Sequence, residues 1–176
     1  FPRAIGLLEE WRSHEEKPNA PAEFLLTIAY AQTEQWDKAL EHGRAAVTLS
    51  DKPVEQRLGM LLAIEFQNDN LPESLALLEQ LVRHFPKKRY MMQLAAAYSS
   101  LDEDARSLAV LGLAEQQGWL DQESEILHLA QRYAAEDLPW PAANLVRRGM
   151  KAGVVTRSVE NLELLAQICD AAGPEA

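Results

Sequence analysis

Apolar residues return every three or four positions along nearly the whole chain, and short polar stretches rich in Pro, Gly, Asn or Asp interrupt them. That spacing is the period of α-helices with one face turned to a core. Within Phe1 to Glu16, Ile5, Leu8 and Trp11 share a face while Glu9, Glu10, Glu15 and Glu16 mostly lie elsewhere. Lys17-Pro18-Asn19-Ala20-Pro21 breaks this first helix. Two more are predicted over Glu23–Gln32 and Asp37–Leu49, around a turn at Thr33–Trp36. Ser50-Asp51-Lys52-Pro53 stops the second, because proline cannot continue the hydrogen-bond ladder. Val54–Phe66 and Pro72–Phe85 flank Asn68-Asp69-Asn70, and Pro86 closes the pair. Tyr90 to Gly118 holds another pair around the polar turn Ser99–Asp104. Asp121–Ala135 and Pro139–Ala152 follow, with Pro139 and Pro141 at the start of the latter and Gly153 ending it. Val159 to about Ala171 is the last helix, and Gly173-Pro174-Glu175-Ala176 is expected to fray. No alternating β-branched run is bounded by hairpin dipeptides, so the chain is predicted to be all-α, with about ten helices.

The helices repeat. Leu26, Leu61, Leu94, Leu129 and Leu165 are equivalent first-helix residues, at steps of 35, 33, 35 and 36. Ala4, Ala39, Ser74, Ser107 and Ala142 are equivalent second-helix residues, at steps of 35, 35, 33 and 35. Two independent series with one period predict a single solenoid of antiparallel helix pairs over residues 1–176. Its parts are the second helix of a preceding repeat (1–19), repeats at 20–53, 54–87, 88–121 and 122–157, and a first helix at 158–176.

Leu94-Ala95-x-x-Tyr98 and Leu129-Ala130-x-x-Tyr133 place large, small and aromatic residues on one helical face. Ala4-x-x-x-Leu8, Ser74-x-x-x-Leu78, Ser107-x-x-x-Leu111 and Ala142-x-x-x-Val146 do the same for small and large. These residues resemble the tetratricopeptide repeat (TPR), which implies a right-handed α-α superhelix whose first helices, A, line a concave groove and whose second helices, B, lie behind them. Four positions depart from the pattern: Thr27, Leu62 and Glu65 replace small, small and aromatic residues, and Gly43 replaces a large one. Leu165-Ala166-x-x-Cys169 has a thiol where the aromatic belongs. Over residues 90–167, the run SLAVLGLAEQQGWLDQESEILHLAQRY followed by ENLELLAQ is similar to periplasmic TPR proteins assigned to TonB systems. That similarity implies the periplasm and a Gram-negative envelope complex.

Composition narrows the partners. The 176 residues are 47% apolar and 25% charged, as in ordinary globular proteins. With 27 acidic against 17 basic residues the net charge is −10, which disfavours nucleic acid and anionic membrane surfaces. No apolar run approaches the roughly 20 residues of a membrane span. The single Cys169 excludes an intrachain disulfide.

The sequence carries no recognisable catalytic or metal-binding signature. His14, His42, His84 and His128 have no His or Cys at helical ligand spacing, and Asp102-Glu103-Asp104 lacks the glycine and distant glutamate of a calcium loop. No serine elbow or phosphate loop is present, and Gly153 of Gly149-x-x-x-Gly153 reads as a helix cap. Paired carboxylates such as Glu9 and Glu10 read as an exposed face, and Asp121, Glu123 and Glu125 as the acidic start of a helix. No cofactor is expected, and the chain is read as no enzyme. Two basic clusters, Arg83, His84, Lys87, Lys88, Arg89 and Arg147, Arg148, Lys151, Arg157, complement helix ends or form a docking patch for an acidic partner.

Carrying the repeat register across, the resemblance puts Phe24, Ile28 and Gln32 in the groove, then Met60, Ala63 and Gln67. Met92, Gln93, Ala96 and Ser99, then Leu127, His128 and Gln131, continue it. A clamp for a terminal carboxylate is not expected, since its positions read Phe24, Ile28, Met60 and Gln93 with only Arg89 basic. The predicted function is a scaffold that binds a partner peptide or helix. The alternative is a regulatory or docking arm of an enzyme whose catalytic domain lies elsewhere. Weak self-association is expected through Ile5, Leu8 and Trp11 at one end and Leu164 and Ile168 at the other.

Overall fold

A computed structural model describes residues 2–14 and 17–172; the tail 173–176, and Glu15 and Glu16 of the first predicted helix, lie outside them. Its helices are α1 (Pro2–His14), α2 (Ala20–Ala31), α3 (Trp36–Thr48), α4 (Glu55–Gln67) and α5 (Leu71–His84). They continue as α6 (Lys88–Ser100), α7 (Asp104–Gln116), α8 (Glu123–Ala135), α9 (Pro139–Ala152) and α10 (Val159–Ala172). Short turns force successive helices to fold back on each other, so α2 packs on α3, α4 on α5, and α8 on α9. The architecture is an all-helical solenoid. The chain divides into two compact units, residues 1–97 and 98–176.

The turn inside each pair is built the same way. Glu34, Asp69, Asp102 and Asp137 all adopt positive φ, between 53° and 57°. The next N–H then reaches back to a carbonyl in the last turn of the preceding helix: Gln35 to Tyr30, Asn70 to Glu65, Glu103 to Tyr98 and Leu138 to Tyr133, at 3.0, 3.0, 2.9 and 2.8 Å. This satisfies carbonyls that a helix end otherwise leaves open. Aspartate tolerates the left-handed region better than most side chains, which explains three of the four residues. Between pairs, Gly118 (φ 70°) and Gly153 (φ 75°) perform the same reversal. Helix starts are equally local. Asn19 Oδ1 accepts the Ala22 N–H at 2.9 Å, and Glu125 accepts the Asp121 and Gln122 N–H groups at 3.1 and 3.2 Å.

In the first unit, Leu26, Ala29, Tyr30, Ala39, Ile64 and Ile5 form a buried cluster. Two of the departures from the repeat pattern, Gly43 and Glu65, are compensated by their neighbours. A Cβ on Gly43 would lie 3.1 Å from Leu61 Cδ1 and 3.3 Å from Thr27 Cγ2. The missing large residue on α3 is thus replaced by Leu61 and Thr27 pressing in from α4 and α2. Glu65, in the aromatic position, is 1% exposed. It accepts from Arg44 Nε and Nη2 at 3.1 and 2.8 Å and from Asn70 Nδ2 at 2.8 Å, so a hydrogen-bonded ion pair stands in for ring packing. Glu23 is buried as well, bonded to His42 Nδ1 at 2.6 Å and to Arg12 at 3.1 Å. The His42 ring stacks on Tyr30, which donates to Glu9. Burial, and then that bond, push the Tyr30 hydroxyl up to about 12.

In the second unit, Leu129, Ala130, Ala142, Leu145 and Val146 are buried. Gly149 marks a close approach: its Cβ would lie 2.6 Å from Val155 Cγ2 and 3.3 Å from Ile126 Cγ2. Polar links join successive pairs. Glu123 accepts from Thr156 at 2.9 Å and from Asn161, which hold its carboxyl below the usual range. Arg132 reaches Asp104 and Ser107, both at 2.8 Å, and Arg148 reaches Glu115 at 2.9 Å.

Candidate functional site

The first unit carries an open cavity of about 610 Å³ between α4 and α6. Its α4 wall is Gln56, Gly59, Ala63 and Phe66, spaced three or four apart and therefore on one stripe of the helix. Leu62 forms the buried base, and α6 supplies Arg89, Tyr90 and Gln93. Gly59 leaves room in front of Tyr90: a Cβ there would lie 3.9 Å from the tyrosine oxygen. Phe66 is 40% exposed, a large ring facing solvent at one end.

The other end is charge-compensated. Glu55, at the start of α4, accepts from Lys87 Nζ at 2.6 Å, from Tyr90 Oη at 2.7 Å and from Arg89 Nη2 at 2.7 Å. The Lys87 and Tyr90 hydrogen bonds, and then Arg89, draw the Glu55 carboxyl down to about 2. Burial and the Glu55 carboxylate move Tyr90 the opposite way, above its ordinary value. Arg89 lies over the Tyr90 ring at 4.4 Å and is held charged. The cavity thus offers an apolar wall, an aromatic at each end, and two amides, Gln56 and Gln93, that both donate and accept.

Of the groove positions read from sequence, this cavity includes Ala63 and Gln93. Met60, one residue from Gly59, turns the other way and packs against the cluster of Leu26, Tyr30 and Ile64. Phe24 and Ile28 are half-buried on α2, as is Met92 on α6, while Gln32 and Gln67 are exposed. In the second unit Leu127 is half-buried and His128 and Gln131 are exposed, and Ser99 donates to Asp104 at 3.2 Å. The cavity also takes in Gln56, Gly59, Phe66 and Tyr90, which are not among the groove positions read from sequence. The available signal was the helical spacing of 56, 59, 63 and 66 around Ala63. Among the described residues no group of three or more His, Cys, Asp or Glu side chains could hold a metal ion. Of the basic clusters, Lys87 and Arg89 are engaged by Glu55, Arg148 by Glu115, and Arg147 donates to Cys169 Sγ at 3.1 Å.

No protein-family model matches the sequence, and no curated protein matches it significantly. Solved structures do resemble it. YrrB, described as a TPR protein with an unusual peptide-binding site, superposes with a TM-score of 0.59 at 13% identity, over 85% of this chain and 76% of its own. MamA superposes with a TM-score of 0.56 at 13% identity, over 93% and 89%. A MamA fragment from Desulfovibrio magneticus RS-1 gives 0.55 at 18% identity, over 89% and 88%. At these identities the likeness is one of fold: the chain has the helix-pair solenoid fold of TPR proteins.

Proposed function

We propose that this protein is a non-catalytic interaction scaffold that binds a peptide segment of a partner protein in the cavity between α4 and α6. The observation that carries the reading is an exposed Phe66 and an open apolar wall beside two amides, with the neighbouring charge already compensated by Glu55, Lys87 and Arg89. Such a surface takes an apolar anchor and hydrogen-bonds the peptide backbone on either side of it. The peptide-binding site ascribed to YrrB, on the same fold, supports the reading. A non-catalytic role fits the perturbed groups: Glu55 and Glu123 are held ionised and the tyrosines protonated, none poised near neutral pH for proton transfer. The periplasm and a TonB-type envelope complex complete the proposal, and they rest on the sequence resemblance over residues 90–167.

The test begins with peptides selected from a random display library on the immobilised protein. Their binding should fall at least about tenfold in Phe66→Asp, which puts a charge in the apolar wall. It should change little between roughly 0.05 and 0.5 M salt, because the contacts are not charge-led. Amide shifts should map to Gln56, Ala63 and Gln93. Peptides that tolerate Phe66→Asp and are lost with salt would move the site to a charged surface. Fractionation of cells expressing the full-length protein tests the compartment separately.

A further inference from the structure

In the second unit α7 is apolar on two faces. Ser107, Leu108, Val110 and Ala114 are buried. On the other side Ala105, Ala109, Leu113 and Gln116 are exposed, and Leu113 keeps 50% of its surface in water. Tyr133 at the end of α8, with Glu136 and Leu138 from the turn into α9, stands against this second face. Together they bound an open groove of about 570 Å³ floored by Leu108 and Gly112. A helix apolar all round normally has neighbours all round. This groove belongs to a B helix and shares no lining residue with the α4–α6 cavity.

Its shape suits a helix. The lining runs from Ala105 to Gln116, about 16 Å at 1.5 Å per residue, or three turns. Ala105, Ala109 and Gly112 are small and leave the α7 backbone open to close approach between the ridges of Leu113 and Leu138. Gly112 keeps that floor low, since a Cβ there would lie 2.6 Å from Tyr133 Oη.

Charge selects the occupant. The bases nearby are engaged: Arg132 with Asp104, Arg148 with Glu115 and Arg106 with Glu103. Glu136, on the rim, has no side-chain partner among the described residues, and Asp137 follows it. A second copy docked here would bring two molecules of net charge −10 together and offer Glu136 no added cation, since the bases nearby are already engaged. We infer that this groove docks a short amphipathic helix of a partner protein that carries a lysine or arginine beside its apolar stripe, the cation pairing with Glu136. The apolar side chains fill the space between Leu108, Leu113, Tyr133 and Leu138.

The test uses two designed helical peptides of about 15 residues, the length at which isolated helices become viable, one patterned Leu/Lys and one Leu/Glu. Isotope-labelled protein is titrated with each and followed by amide NMR. The Leu/Lys peptide should shift residues 105–116 and 133–138 and bind at least about tenfold more tightly than the Leu/Glu peptide. Leu113→Asp, on an exposed position, should abolish that preference and the shifts, with unchanged circular dichroism as a check of fold. Glu136→Gln should weaken the Leu/Lys peptide severalfold and leave the Leu/Glu peptide no worse. Phe66→Asp should change nothing here, so this inference and the α4–α6 reading fail independently. Equal binding of both peptides would overturn the charge argument. Shifts confined to Gln56, Phe66 and Gln93 would overturn the site, and concentration-dependent broadening of residues 105–116 without peptide would make the occupant a second copy.

Discussion

Ser74 Oγ is buried without a hydrogen-bond partner among the described residues. It occupies the small position of α5, where Ala39 and Ala142 stand in α3 and α9. The hydroxyl has lost water and gained nothing, a cost of about 1–3 kcal/mol for such a group. Ser74→Ala keeps the volume almost unchanged and should stabilise the protein by about 1 kcal/mol, read as a higher urea midpoint at unchanged slope. A lower midpoint would mean that an ordered water satisfies the hydroxyl. Glu65 and Phe66 show where hydropathy misleads at this scale. The acid is 1% exposed and the ring beside it 40%, the reverse of their transfer preferences. The inversion depends on Arg44, 21 residues away on α3, and on Asn70, so local sequence could not announce it. Gly153 was legible, because a glycine after a helical pattern has one common use, and it closes α9 at positive φ.

At the scale of elements, pairing was legible and facing was only partly so. Proline, glycine and Asp/Asn clusters mark the breaks, and the observed helices fall between them. Of the groove positions read from sequence, Ala63 and Gln93 line the α4–α6 cavity while Met60 packs inward. Adjacent helical residues point about 100° apart, and a one-residue offset moves a side chain from groove to core. The tie between α4 and α6 was also hidden: Lys87 and Arg89 read as a basic patch, yet Glu55 holds both. Because the Glu55 carboxyl drops from 4.5 to about 2 on folding, the unfolded chain binds more protons between those values. The tie therefore contributes its full stability above about pH 4.5 and loses it as pH falls through about 2. Glu55→Gln should flatten the pH dependence of unfolding in that window, measured by urea titration, and the side-chain carboxyl carbon of Glu55 should titrate near 2 by NMR. A midpoint near 4.5 would mean that Lys87 and Arg89 do not hold it in solution.

At the scale of the whole molecule, net charge and exposed apolar surface act against each other. The expectation of sticky ends named Ile5, Leu8, Trp11, Leu164 and Ile168. Ile5 and Ile168 are buried and Leu8 and Leu164 half-buried, so these have found neighbours within the chain. What remains in water on α1 is Leu7 and Trp11, and on α10 Val159, which is 72% exposed, and Leu162. Two such side chains on a face amount to a few kcal/mol of gross burial at about 25 cal/mol per Å². The loss of translational and rotational freedom on association offsets most of that. Each copy also carries a charge of −10, and this repulsion is long-ranged at low salt and confined to about 8 Å near 0.15 M. The balance predicts a monomer at low ionic strength and a weak dimer, with Kd in about the millimolar range, as salt rises. That is the opposite of the salt response of a charge-led contact. Sedimentation over a range of protein concentrations at low and high salt measures it. Trp11→Glu should remove the high-salt dimer if α1 is the contact, and Leu162→Glu if α10 is. A mass that stays monomeric at high salt and high concentration would show that the apolar faces are too small to join two copies. Dimerisation that weakens with salt would place the contact on unlike charges instead.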